Sequence, residues 1–175
     1  MADFLTIVQH SHYDIWNSKF VRMMTPDFIN IGAGFNGIFG LGAGQSMEAN
    51  FVMHGPEASF KPVFTATSSV GIGFSVDATF NVGVQHYTGD VDDINADMLE
   101  TNTSARHDDP TAWGSGGFSF LGKVGFTGSY THLNDGFNLV GAQVNVGLGL
   151  PVGELPINAA GGVSNSFILP FFRKK

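Results

Sequence analysis

The chain has no cysteine among its 175 residues. That removes disulfide scaffolds, thiolate zinc sites and cysteine nucleophiles together. Charge is scarce as well. Only 13% of the residues are charged, about half the roughly 25% usual for a soluble domain. Positive charge is scarcest, with 8 Lys and Arg against 15 Asp and Glu and a net charge of −7. A nucleic-acid partner is excluded on that ground, because phosphates need a basic stripe. The one basic cluster is the terminal Arg173-Lys174-Lys175, which reads as a solvated tail. No apolar run approaches the roughly 18 residues that mark a transmembrane helix. The segment Met1–His12 lacks a basic n-region and an apolar h-region, so no signal peptide is expected within the numbered residues. There is no G-x-S-x-G elbow, no P-loop and no H-E-x-x-H.

What the chain has instead is 24 Gly, 17 Phe and a 43% hydrophobic content. These residues are ordered with a period of two. Val70, Ile72, Phe74, Val76, Ala78, Phe80, Val82 and Val84 alternate with Gly71, Gly73, Ser75, Asp77, Thr79, Asn81, Gly83 and Gln85. Only a β-strand places successive side chains on opposite faces. The same alternation runs through Ile29–Leu41, Phe118–Tyr130, Val140–Leu148 and Ile157–Phe171. Turn signals at 44–46, 54–57, 133–136 and 151–154 separate the runs. With shorter strands at Phe4–Gln9, Met47–Met53 and Phe60–Thr67, the expected fold is all-β. It is one domain over residues 1–175, an antiparallel up-and-down barrel of about eight long strands. Residues 1–27 form an N-terminal segment with a short helix through Arg22, ended by Pro26. Gly32-Ala-Gly-Phe-Asn-Gly and Gly114-Ser-Gly-Gly-Phe-Ser are a faint hint of duplication.

The polar face of these strands carries Gly, Ser, Thr, Asn and Gln rather than the Lys, Glu and Arg of a water-facing sheet. That predicts an inverted barrel, with the apolar face toward lipid and the small polar face toward a narrow interior. Asp77, Lys123, Asn81, Gln85, Gln143 and Asn145 are then interior-lining, and Asp77 and Lys123 are a candidate ion pair. Tyr87, Trp113, Tyr130, Phe171 and Phe172 near strand ends are candidates for interfacial aromatic girdles. The pattern resembles that of small bacterial outer-membrane barrels, and no motif narrows it further.

The segment 89–112 holds seven of the fifteen acids against Arg106 alone, and reads as one long loop. Asp90, Asp92, Asp93, Asn95 and Asp97 have the density of a weak Ca2+ site, although the Gly and Glu of an EF-hand are out of register. His107-Asp108-Asp109 is a second, weaker cation candidate, and no other cofactor is expected. The glycines Gly32, Gly34 and Gly37 match G-x-G-x-x-G, but a glycine-rich strand follows where a Rossmann site needs a helix. In His10-Ser11-His12-Tyr13-Asp14 the histidines are candidate metal ligands or bases. His86 continues the apolar parity and reads as an interface residue.

Three functional expectations follow. The leading one is an integral outer-membrane-type barrel, a small pore or envelope structural protein, partnered by a lipid bilayer or detergent. The second is a self-assembling tube, shell or filament held by its apolar sheet faces. The third is a lipid-modifying barrel enzyme using His12, Asp14 or His132.

Overall fold

In the computed structural model, residues 13–101, 110–120, 122–150 and 157–170 are described. A short helix α1 (Lys19–Met24) precedes six strands. These are β1 (Phe28–Val52), β2 (Ser59–Tyr87), β3 (Thr111–Phe120), β4 (Gly122–His132), β5 (Asn138–Leu150) and β6 (Ile157–Ile168). Ser18 caps α1 by accepting from the Val21 amide. The helix stops at Thr25, one residue before Pro26, which disfavours helical backbone at the residue before it.

All pairings are antiparallel. One edge of β2 pairs with β1 along nearly its whole length. Its other edge is shared, with Thr65–Phe74 on β6 and Val76–Tyr87 on β5. The ladders β5–β4, β4–β3 and β3–β6 complete the circuit, so β2, β5, β4, β3 and β6 form a closed ring. Closure satisfies backbone groups that an edge strand leaves exposed.

Two expectations are corrected here. Among the described residues the strand count is six, not about eight. The runs expected as separate strands at 29–41 and 47–53 are one strand, β1, and those at 60–67 and 70–86 are one strand, β2, while the single run expected at 118–130 is divided between β3 and β4. The chain order is also not up-and-down, because β2 lies beside β5 and β6 rather than β3. The connection from β2 to β3 is long enough to carry the chain to a distant strand. The expected strand Phe4–Gln9 lies outside the described residues.

The long strands are bent where glycine permits it. Gly40 has φ 76° and Gly73 has φ 138°, values that side chains with a Cβ rarely adopt. About Gly40, β1 doubles back. A Cβ on Gly42 would run into Gly37 and Ile38, one on Gly34 into Gln45 and Ser46, and one on Gly32 into Met47 and Glu48. At the second bend Gly73 pairs with Gly40 across the β1–β2 ladder, so the bend in β2 crosses the tip of the β1 turn.

Burial follows the alternation. Asn30, Ser75, Asp77, Asn81, Ser119, Lys123, Asn145 and Asn158 are buried, whereas Phe39, Leu41, Ile72, Phe118, Phe126 and Leu148 are at least 66% exposed. The polar face points inward and the apolar face outward. The described apolar core sits instead at one mouth, where Phe28, Val52, Tyr87, Leu133 and Leu139 meet Ile94, Met98 and Leu99.

Gly73→Ala is expected to destabilise the barrel by about 1–3 kcal/mol, from backbone strain and from collision with Ala159 and Ala160. Gly128→Ala, whose Cβ would meet nothing within 4 Å, is expected to change stability by less than about 0.5 kcal/mol. Denaturant midpoints of the two variants check the contrast.

Candidate functional site

The interior is the most organised polar region of the molecule. It holds a partly open cavity of about 150 Å³. Asp77, Lys123, Asn81, Gln85, Gln143 and Asn145 all line it. Asp77 projects inward from β2 and Lys123 from the start of β4, and Lys123 Nζ lies 2.5 Å from Asp77 Oδ2. The pair is nearly free of solvent, with side chains 3% and 1% exposed. Ser75 Oγ accepts from Lys123 Nζ at 3.0 Å and donates to Asp77 Oδ2. Asn36 Nδ2 donates to the other carboxylate oxygen at 3.2 Å. A buried ion pair needs such further bonds to offset the desolvation of both charges.

A second polar layer surrounds Glu48 on β1. Asn30 Nδ2 donates to Glu48 Oε2 at 3.0 Å, and Gln143 Nε2 donates to Oε1 at 2.8 Å. Smaller pairs fill the wall between the layers. Asn145 donates to Thr127 at 2.7 Å, Thr79 to Asn81 at 2.9 Å and Asn50 to Thr65 at 2.9 Å. Among the described residues of the barrel strands, three buried polar atoms have no partner: Asn30 Oδ1, Gln85 Oε1 and Trp113 Nε1. Glu48 and Asn30 were not singled out by sequence, although both keep the inward parity of β1.

The acidic segment closes one mouth. It contains two 3-10 turns, Val91–Asp93 and Ala96–Leu99. Asp90 caps the first by accepting from the Asp92 amide at 3.4 Å. Asn95 donates to the Asp93 carbonyl at 3.1 Å, and Asp92 accepts from Tyr13 at 3.1 Å. These residues turn Ile94, Met98 and Leu99 inward, and Met98 and Leu99 line the cavity. The residues expected to form a Ca2+ site, Asp90, Asp92, Asp93, Asn95 and Asp97, are spread over the two turns. Among the described residues no three acidic or histidine side chains gather round a common point. Asp90 is spent on a turn cap and Asp92 on Tyr13, and Asp97 is exposed. His107-Asp108-Asp109 lies outside the described residues.

The aromatic girdle is corrected at two positions. Tyr87 is buried in the mouth cluster and its hydroxyl donates to Asp135 at 2.7 Å. Trp113 points inward and lines the cavity. Tyr130 does face outward, 48% exposed, with its hydroxyl donating to Asn138 at 2.6 Å. Phe171 and Phe172 lie outside the described residues.

The N-terminal segment clamps the same mouth. Asp27, fully buried, accepts from Arg22 at 2.9 and 3.0 Å and from the Tyr87 amide at 2.9 Å. His86 Nδ1, outward and half-exposed, lies 3.0 Å from the same carboxylate. Trp16 stacks on His54 at 5.2 Å and donates to the Met53 carbonyl. The Thr25 hydroxyl donates to Val21, so His54 Nε2 donates to it at 2.8 Å and Nδ1 is left bare. Burial holds the His54 pKa below its ordinary value, Arg22 and His86 push the same way, and Asp27 opposes them. Among the described residues, the candidate catalytic side chains are not brought together. Asp14 is exposed, His132 is paired with Asn138 at 2.9 Å, and His10 and His12 lie outside the described residues.

Comparison with protein-family models, curated proteins and solved structures finds no match. The glycines of Gly32–Gly37 lie within β1, with no helix after them, so the dinucleotide fingerprint has no structural counterpart.

Lys123→Met is expected to cost about 3–5 kcal/mol, because it leaves the Asp77 carboxylate buried without a counter-charge. The double variant Lys123→Met/Asp77→Leu is expected to recover most of that loss. A double-mutant cycle by denaturant unfolding measures both, and equal losses in the single and double variants would contradict the pairing.

Proposed function

We propose that the chain is a membrane-embedded β-barrel of outer-membrane type that acts as a closed structural element. The observation that carries the proposal is the apolar belt. Every strand contributes to it, with Phe35, Phe80, Phe118, Phe126, Leu148 and Phe167 all between 47% and 70% exposed. Monomeric soluble proteins rarely leave contiguous apolar patches beyond a few hundred Å². An ion pair and the Asn, Ser and Thr side chains occupy the inside, the distribution a lipid-facing barrel needs.

Segment length supports the same reading. Bent at Gly40, β1 has twelve residues on each side, 28–39 and 41–52. The four later strands have 10, 11, 13 and 12 residues. A tilted strand crosses a bilayer with about 9–11 residues. Counted by halves, β1 and β2 bring the wall to eight crossing segments. No helix among the described residues is long and apolar enough to cross a membrane, so the strands carry any crossing. The small interior and the plug of Ile94, Met98 and Leu99 favour a closed barrel over an open pore.

One observation favours a second reading, assembly of copies through their apolar faces. Membrane barrels are typically up-and-down, and Greek-key orders occur in shells and other assemblies. Here strands adjacent in sequence are not always adjacent in the sheet.

Fractionation of expressing cells separates the two. Membrane insertion predicts a protein that sediments with membranes, resists a carbonate wash, enters solution only with detergent, and migrates faster on a gel before boiling. Lipid-free regular particles would establish the second reading against the first. Soluble monomers would contradict both.

A further inference from the structure

We infer that the barrel interior binds one small monovalent cation, an alkali-metal ion or ammonium, at Glu48. Among the described residues, the charges that face the cavity are Glu48, Asp77 and Lys123. Lys123 is committed to Asp77. Glu48 receives bonds only from the neutral amides of Asn30 and Gln143, and no cationic side chain among the described residues forms an ion pair with it. Glu48 is half-buried in this partly closed polar space, where a carboxylate with no ionic partner attracts a counter-ion more strongly than it would in bulk water.

Two further oxygens await a positive partner. Asn30 is 1% exposed. Because its Nδ2 is used on Glu48, its orientation is fixed and Oδ1 is an acceptor with no donor. Gln85 Oε1 lines the same space, also without a donor. A cation resting against Glu48 answers the charge; Gln85, which lines the cavity, supplies a carbonyl oxygen toward it, and Asn30, bonded to Glu48, holds a second bare oxygen over Gly83 beside it. The donors are all hard oxygens, which suit alkali and ammonium ions rather than soft metals. One carboxylate matches one charge, whereas Ca2+ sites gather several carboxylates. The volume, about 150 Å³, admits the ion with a few waters at about 30 Å³ each. The site lies inside the barrel, so it stands whether lipid or other copies cover the belt.

The test uses purified protein in detergent, with N-methylglucamine as the only cation at fixed ionic strength. Replacing it by Na+, K+ or NH4+ is expected to raise the thermal midpoint saturably for at least one ion, as binding to the folded state requires. Glu48→Gln is expected to give a flat response. Asp97→Asn, on the exposed loop, is expected to keep the rise. A flat wild-type response, or the same rise in Glu48→Gln, overturns the inference. Sodium-NMR line broadening by the wild-type protein, reversed by K+ or NH4+, gives a readout that needs no variant; its absence also overturns the site. Cation response and membrane partition are separate measurements, so either can fail without the other.

Discussion

Side chains of a strand alternate between its two faces, and a sheet closed into a ring has an inside and an outside that cannot exchange. Everything else in this molecule depends on that constraint. The inward parity is filled by glycine, serine, threonine, asparagine and one buried ion pair; the outward parity by Phe, Val, Ile and Leu. A shift of one residue in any ladder would bury phenylalanines in the lumen and turn Asp77 or Lys123 outward. Register is therefore set by polarity on both faces at once.

The small inward residues also determine how tightly the ring closes. Where β1 doubles back, Gly32, Gly34, Gly42 and Gly44 face neighbouring backbone at distances that leave no room for a Cβ. Beside Gly117 and Gly149 the space is taken up by polar side chains bonded across strands, Asn158 donating to Ser119 at 2.5 Å. The interior thus resembles a hydrogen-bonded core more than a channel. The mouth is sealed differently, by apolar packing from a segment whose composition is acidic. Asp90 caps a turn and Asp92 accepts from Tyr13 while Ile94, Met98 and Leu99 turn in.

Face assignment was legible in the sequence because alternation is local. Parity places Asp77 and Lys123 together on the inward face, and the structure brings them to 2.5 Å. The same parity rule would have placed Tyr87 with Gln85 and Trp113 with Ser115, both inward; reading them as girdle residues from their position near strand ends overrode that signal. Strand order was not legible, since which strands pair across the ring depends on contacts distant in sequence. The bends were hidden for a local reason. Gly40 and Gly73 keep the period of two intact, so β2 reads as unbroken alternation through the bend. Glu48 was overlooked because it lies in a short, weakly alternating stretch and its partners, Asn30 and Gln143, come from elsewhere in the chain.

The central claim is that the outward face is sealed from water by lipid while the inward face is not. Fluorescence quenching by brominated acyl chains tests it at single residues. Tryptophan is placed at the outward position by Phe126→Trp in a Trp16→Phe/Trp113→Phe background, and compared with Trp113 alone in a Trp16→Phe background. Phe126 is 66% exposed, and Trp113 lines the cavity. In reconstituted vesicles the account predicts strong quenching of the outward tryptophan and little of Trp113. Equal quenching at both positions, or none at the outward one, would contradict it.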